Sequence, residues 1–416
     1  MRPPYSKSGG TAPLINGTAL IARPKTVLQI IPHINAGGAE RTVVDVGEAL
    51  VKAGWRSLVA SEGGRLVSEL EAGGSTHITL PLGSKNPLTL WRNRGRLMDL
   101  VKSEGVDIIH ARSRAPAWSG YFTARATGTA FVTTYHGAYG QSNRAKALYN
   151  SVMGKAHVII ANSRWTGDLV AARHPEAAER IVPINRGTDF AQFAPDAIAL
   201  HRSAAVAQQW GLDGAKRRLQ EKHIGQAPLV ILLLGRMTTL KGHELVIEAA
   251  SRLKDTPLLF VFAGDAGGRD AYRARLVEQI ERHGLQDNFL LPGHCADPAA
   301  AITLCDALLS ASTKAETFGR TVVEASALEK PVLASRIGAV VESLVEAPES
   351  ARTGFLFTPN DGTALTACLK RFATLSAQER LAMGERGRAF VVPRFSLQSM
   401  CEQTLSVYRR VLASER

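Results

Sequence analysis

Short, continuous apolar runs alternate with helical patterns through almost the whole chain, and the alternation runs twice. The first series is TVLQIIPHI (26–34), RSLVAS (56–61), THITLPL (76–82), VDIIHA (106–111), AFVTTYH (130–136), HVIIANS (157–163) and RIVPIN (180–185). The second is PLVILLLG (228–235), PLLFVFAG (257–264), NFLLPG (288–293), DALLSAS (306–312) and PVLAS (331–335). Strands that are apolar along their whole length, with helices between them, belong to parallel sheets covered on both faces. The intervening segments fit: residues 39–53 place Val43, Val46, Leu50 and Val51 on one helical face. A chain of 416 residues is too long for one core. The fold class expected is therefore α/β, with two doubly wound parallel-sheet domains. The strand-free, partly helical stretch 190–227 marks the join, giving an N-terminal domain over 25–190 and a C-terminal domain over 191–393. Residues 1–24 read as a flexible lead-in. At the far end, VVPRFSLQSMCEQ suggests a break initiated by Pro393, then a last amphipathic helix over 394–416 that packs back towards the N-terminal domain.

Composition narrows the class. With 45% hydrophobic and 21% charged residues the chain is of ordinary globular type. No apolar run approaches the roughly 18 residues needed to span a bilayer. The apolar stretch Ala19–Ala22 is too short for a signal-peptide core, so the expected location is cytoplasmic. Cys295, Cys305, Cys368 and Cys401 show no Cys-x-x-Cys spacing and read as free thiols in a reducing compartment. The net charge is +13, and residues 1–190 carry 23 Lys and Arg against 13 Asp and Glu, so +10 lies in the first half. That bias points to an anionic partner: nucleic acid, lipid surface or acidic substrate. KNPLTLWRNRGRLMDLVK (85–102) concentrates it, with Leu90, Arg94, Leu97, Met98 and Val101 at helical spacing and Lys85, Arg92 and Arg96 towards solvent. This suits a solvated helix face or a weak contact with an anionic membrane surface. No zinc spacing or RNA-binding signature is present, so no nucleic-acid partner is expected.

Open α/β sheets bind ligands beyond the carboxyl ends of their strands. After the first strand comes NAGGAER (35–41), in which Gly37 and Gly38 permit a tight turn before a helix start, a place that favours anions. It lacks the Gly-x-Gly-x-x-Gly spacing of nicotinamide and flavin enzymes. After the first strand of the second half, GRMTTLKGHE (235–244) sets Arg236 and Lys241 around a short loop, a plausible clamp for a diphosphate. A structural ion pair for Arg236 and a solvated Lys241 are the plainer alternatives. KAETFGRTVVEAS (314–326) places Glu316 in a loop and Glu324 on the helix that follows. On that layout the two carboxylates reach different parts of one extended ligand rather than each other; a helix-terminal charge and a solvated helix position are the alternatives. Finally, FVTTYHG (131–137) delivers His136 to the same edge of the first domain.

The segments GGAER, YHG, NRGTDFAQF (185–193), GRMTTLKG and ETFGRTVVEA, followed by EKPVLAS, together resemble the retaining glycosyltransferases of family 4 from about residue 25 to the C-terminus. The resemblance implies the GT-B architecture, two Rossmann-like domains facing across a cleft. It implies that Arg236 and Lys241 hold the donor diphosphate, and that Glu316 binds the donor sugar with help from the amides of Phe318, Gly319 and Arg320. Thr321 would complete that helix start, and Glu324 would bind the nucleotide ribose. Gly37 and Gly38 would face the donor from the opposite domain, with Gly38 offering its N–H, and His136 would lie beside the reacting sugar. His136, Glu316, Arg236 and Lys241 are the expected catalytic set. The expected chemistry is transfer of a hexose from a nucleoside-diphosphate sugar to a lipid-linked or glycan acceptor, with retention and without a metal or cofactor, since no Asp-x-Asp is present. Lipopolysaccharide or surface-polysaccharide synthesis on the cytoplasmic face of the inner membrane is the expected setting. The alternatives are a sugar-nucleotide epimerase on the same plan and a non-catalytic polyanion-binding protein. Two departures stand out: Thr317 where the family often has Gly, and a longer segment at 339–353.

Overall fold

The computed structural model describes residues 23–35, 37–224, 226–268 and 270–414, so the lead-in expected over 1–24 lies almost wholly outside the described residues. The first half forms β1 (Thr26–Ile30), β2 (Arg56–Ser61), β3 (Thr76–Thr79), β4 (Ile108–Ala111), β5 (Ala130–Tyr135), β6 (Val158–Ala161) and β7 (Ile181–Pro183). They pair in parallel in the order β3-β2-β1-β4-β5-β6-β7. The second half forms β8 (Leu229–Leu234), β9 (Leu258–Ala263), β10 (Phe289–Gly293), β11 (Ala307–Ser310), β12 (Val332–Ser335) and β13 (Gly354–Phe357). Their order, again parallel, is β10-β9-β8-β11-β12-β13. The two strands that contain proline, β7 with Pro183 and β10 with Pro292, sit at sheet edges, where a missing N–H breaks no ladder.

Both central strands are buried along almost their whole length, β1 at all five residues and β8 from Val230 to Leu234, and helices cover each face. The strand order reverses between β1 and β4 and again between β8 and β11, which puts a crevice above each reversal. β13 is an addition to the sequence reading. GFLF is only four residues long and opens with glycine, so its own strand signal is short, yet it pairs with β12 at four positions.

The join contains two helices, Leu200–Trp210 and Leu212–Lys222, which pack under β8 and β9. The last helix, Leu397–Ser414, buries Met400, Leu405, Tyr408 and Val411 against Val27, Ile108 and Val132 of the first sheet and Val46 of the helix Gly38–Lys52. The expected break at Pro393 needs correction. Pro393 lies inside the helix Ala377–Phe395, and the chain turns at Ser396, which is extended. There Thr188 N–H donates to Phe395 O at 2.7 Å and Leu397 N–H to Thr188 O at 3.3 Å. This bridge to the segment after β7 fixes the break. A proline near a helix end loses only one intrahelical bond and does not stop the helix by itself.

Candidate active site

Gly235 and Arg236 follow β8, and Lys241 ends the short turn Thr239–Lys241. Gly242 then takes φ +73, and a Cβ there would lie 2.0 Å from Ala311 O. Only glycine allows the loop to rest this closely on the end of β11. The result is a direct contact between two of the expected residues: Lys241 Nζ lies 2.7 Å from Glu316 Oε1, and the Ser312 hydroxyl donates to the same oxygen. Glu316 Oε2 accepts nothing from the described residues. Arg236 stands apart, exposed and without a hydrogen bond or ion pair among the described residues.

Glu316 lies in the loop after β11, and Glu324 on the helix Arg320–Ala327, the division the sequence predicts. Gly319, at φ +79, turns the chain into that helix. The amides of Phe318, Gly319, Arg320 and Thr321 have no protein acceptor among the described residues, so they form an open helix start of the kind that favours anions. The Phe318 ring is buried against Phe395, centroids 5.9 Å apart, and locks the loop. Glu324 is not the solvated position of the plainer reading. It is 4% exposed, and its partner is Arg320 Nη2 at 3.1 Å. Burial pushes its carboxyl above the ordinary value, against the pull of Arg320 and Arg186.

His136 is the first residue after β5, and its carbonyl accepts a hydrogen bond from Thr317 Oγ1 at 3.3 Å. Thr317, the departure from the family pattern, thus joins the strand-end loops of the two domains. A second contact across the cleft comes from the long segment after β12. Both Glu342 oxygens accept backbone N–H groups, from Arg164 at 3.0 Å and Trp165 at 2.7 Å, at the start of the helix Arg164–Arg173. His136 Nε2 is buried without a partner and lines a cavity of about 20 Å³ with Arg112, Asn162 and Arg186. Burial, then Arg112 and Arg186, hold its ring pKa well below the usual 6.5, so the imidazole is neutral at neutral pH.

Gly37 precedes the helix Gly38–Lys52, and the Glu40 carboxylate folds over it: a Cβ on Gly37 would lie 2.0 Å from Glu40 Oε2. A Cβ on Gly38 would lie 1.9 Å from the Arg186 guanidinium. A ligand meeting the Gly38 amide therefore meets Arg186 as well. Arg186 faces Glu324 and Arg320 across a cavity of about 250 Å³, and burial lowers its pKa to about 10.

Arg186, Arg112 and Ser312 escaped the sequence reading as site residues. Arg186 falls within NRGTDFAQF, which contributed to the resemblance but received no role. Arg112 directly follows β4, so the strand-end rule that selects His136 selects it too. Arg112 is 2% exposed, and its guanidinium donates to Gln29 Oε1 at 3.0 and 2.5 Å, with no carboxylate partner among the described residues.

Two family descriptions cover the two halves: Glycosyltransferase Family 4 matches residues 36–192, and Glycosyl transferases group 1 matches 216–390. A crystal structure of a glycosyltransferase from Rickettsia africae ESF-5 shares 31% identity and a TM-score of 0.79, over 94% of this chain and 99% of that one. The chain is a group 1 glycosyltransferase. The glycosyltransferase is also 26% identical over 340 residues to a D-inositol 3-phosphate glycosyltransferase of Salinispora tropica, over 76% of this chain and 67% of the relative. Anabaena Alr3699/HepE, solved in complex with UDP and glucose, shares the GT-B fold at a TM-score of 0.73 and 20% identity, over 93% of this chain and 100% of that one. The two sheets of the glycosyltransferase, their facing crevices and its transferase class agree with the fold and enzyme class that the sequence resemblance implies.

Proposed function

We propose that the protein is a retaining, metal-independent hexosyltransferase that uses a nucleoside-diphosphate sugar and glycosylates a lipid-linked or glycan acceptor. The observation that carries this reading is the Lys241–Glu316 pair set beside the open amides of Phe318 to Thr321, with buried Glu324 further along the same segment. A donor has three parts to hold, and the chain offers three chemically distinct holders. An ammonium has three N–H groups, and Lys241 donates one to Glu316, leaving two for a diphosphate. Arg236, unpaired and exposed, adds a fork of donors from the same loop. Glu316 Oε2 is free to accept sugar hydroxyls, and Glu324 accepts ribose hydroxyls.

As the anomeric C–O bond lengthens, negative charge gathers on the departing diphosphate, where the two cations and the helix start stabilise it. Positive charge gathers on the sugar, and a neutral His136 ring can hydrogen bond there without repelling it. HepE, a relative in fold, was solved with UDP and glucose, which supports a nucleotide sugar here. The lipopolysaccharide or surface-polysaccharide setting draws on fold relatives such as the outer core galactosyltransferase WaaB and on the basic first half. The setting is the cytoplasmic face of the inner membrane; none of the described helices is long and apolar enough to cross a membrane.

A thermal-shift panel of UDP-, GDP- and ADP-sugars tests the donor, because a ligand that binds only the folded state raises its melting temperature. One nucleotide class should raise it, and the shift should shrink in Lys241→Ala. No shift with any of them would count against the reading, and a changed nucleotide sugar formed without acceptor would identify an epimerase instead.

A further inference from the structure

The helices Pro87–Glu104, Arg114–Thr127 and Arg144–Ser151 lie on the outer side of the first sheet, and their outward face is not that of an ordinary solvated surface. The sequence reading turns the apolar side of 85–102 inward, and Leu97 and Val101 are indeed buried. Trp91 and Leu88 turn outward instead, 68% and 55% exposed, and Phe122 and Leu148 on the neighbouring helices are 47% and 67% exposed. These four are half of the large apolar side chains left exposed among the described residues. Trp91, Leu90, Trp118, Phe122 and Tyr149 line one groove of about 740 Å³, in which Trp118 stacks on Phe122 at 5.7 Å.

The charges around this groove are of one sign. Lys85, Arg94 and Arg125 line it, and no lining residue is acidic. The sequence has no Asp or Glu between Glu71 and Asp99, or between Asp107 and Asp168. Several exposed cations elsewhere pair with carboxylates, as Arg41 does with Glu69, Arg275 with Glu244 and Arg282 with Glu278. Lys85, Arg92, Arg94 and Arg125 form no ion pair among the described residues. A surface that exposes aromatic rings and withholds counter-charges carries two costs in water, and an anionic interface removes both.

We propose that this face docks on an anionic lipid bilayer, with Trp91 and Phe122 entering the headgroup region and Lys85, Arg94 and Arg125 meeting lipid phosphates. The groove also borders the site. Arg114 lies 4.1 Å over the Tyr139 ring and 5.5 Å over that of Tyr149, and Asn150 donates to Gly140 O, so the groove wall supports the loop that follows His136. Delivery of a lipid-linked acceptor along this route rests on the proposed function; the docking itself does not.

Co-sedimentation of the full chain with phosphatidylcholine vesicles, with and without phosphatidylglycerol, tests it. Binding should require phosphatidylglycerol, weaken with added salt and shift tryptophan fluorescence to the blue. Trp91→Ser with Phe122→Ser should weaken binding about tenfold or more, as expected when buried aromatic area is lost, and Arg94→Glu with Arg125→Glu should abolish it. Equal binding to both vesicle types, no binding, or binding unaffected by these substitutions would overturn the proposal. A dimer in sedimentation velocity that Trp91→Ser dissolves would assign the face to a second copy and also overturn it. The nucleotide-sugar thermal shift should survive in the Trp91 and Phe122 variant, so failure of docking and failure of the donor reading give separate signatures.

Discussion

A carboxylate 4% exposed, as at Glu324, loses most of the hydration of its charged form, and a single guanidinium at 3.1 Å does not restore it. Its pKa is raised, so the folded state holds the proton more tightly than the unfolded chain. Stability from this group is present below the ordinary value of 4.5 and lost as pH rises through the folded value. Glu324→Gln should therefore melt no lower than the parent at neutral pH while binding nucleotide more weakly. Melting curves across the acid range and calorimetry with free nucleoside diphosphate check both halves. Identical nucleotide binding would remove Glu324 from the site. His136 shows the opposite sign. Its depressed pKa gives stability that is present above 6.5 and lost as pH falls through the folded value. The kcat/KM profile should accordingly lack a step from His136 near 6.5, measurable by initial rates across that range. Lys241→Ala and Arg236→Ala should each lower kcat by about 100-fold or more, the scale of losing a fixed donor to developing charge.

At the scale of elements, β-branched and continuous apolar runs made the central strands of both sheets legible, and residues at their carboxyl ends supplied His136, Arg236 and Lys241. β13 was not legible, because its signal lies in pairing with β12 rather than in its own four residues. Trp91 was illegible for a related reason: periodicity identifies a helical face but not whether a neighbour covers it. Thr317 was visible as a departure, but its hydrogen bond to the His136 carbonyl depends on the approach of two loops 181 residues apart. Thr317→Val should cost about 1 kcal/mol of this link and lower kcat/KM several-fold with little change in melting temperature. Glu342 caps a helix of the other domain from the long segment after β12. Glu342→Ala should speed exchange of the Arg164 and Trp165 amides, read by hydrogen exchange, and an unchanged rate would mean that the cap does not hold in solution.

On the scale of the whole molecule, the cleft is closed by few contacts, chiefly Thr317 to His136, Glu342 to the helix start at Arg164, and the bridge of Thr188 to Phe395 and Leu397. Few contacts favour relative motion of the domains. Small-angle scattering should show a smaller radius of gyration when the nucleotide sugar is added. The central claim is that one ligand spans the residues from Lys241 to Glu324, and calorimetric titration of the matching nucleoside diphosphate tests it most directly. The account predicts saturable binding to the parent, severe weakening in both Lys241→Ala and Glu324→Gln, and an unchanged affinity in Trp91→Ser. Equal affinity in the parent and in either cleft variant would contradict it.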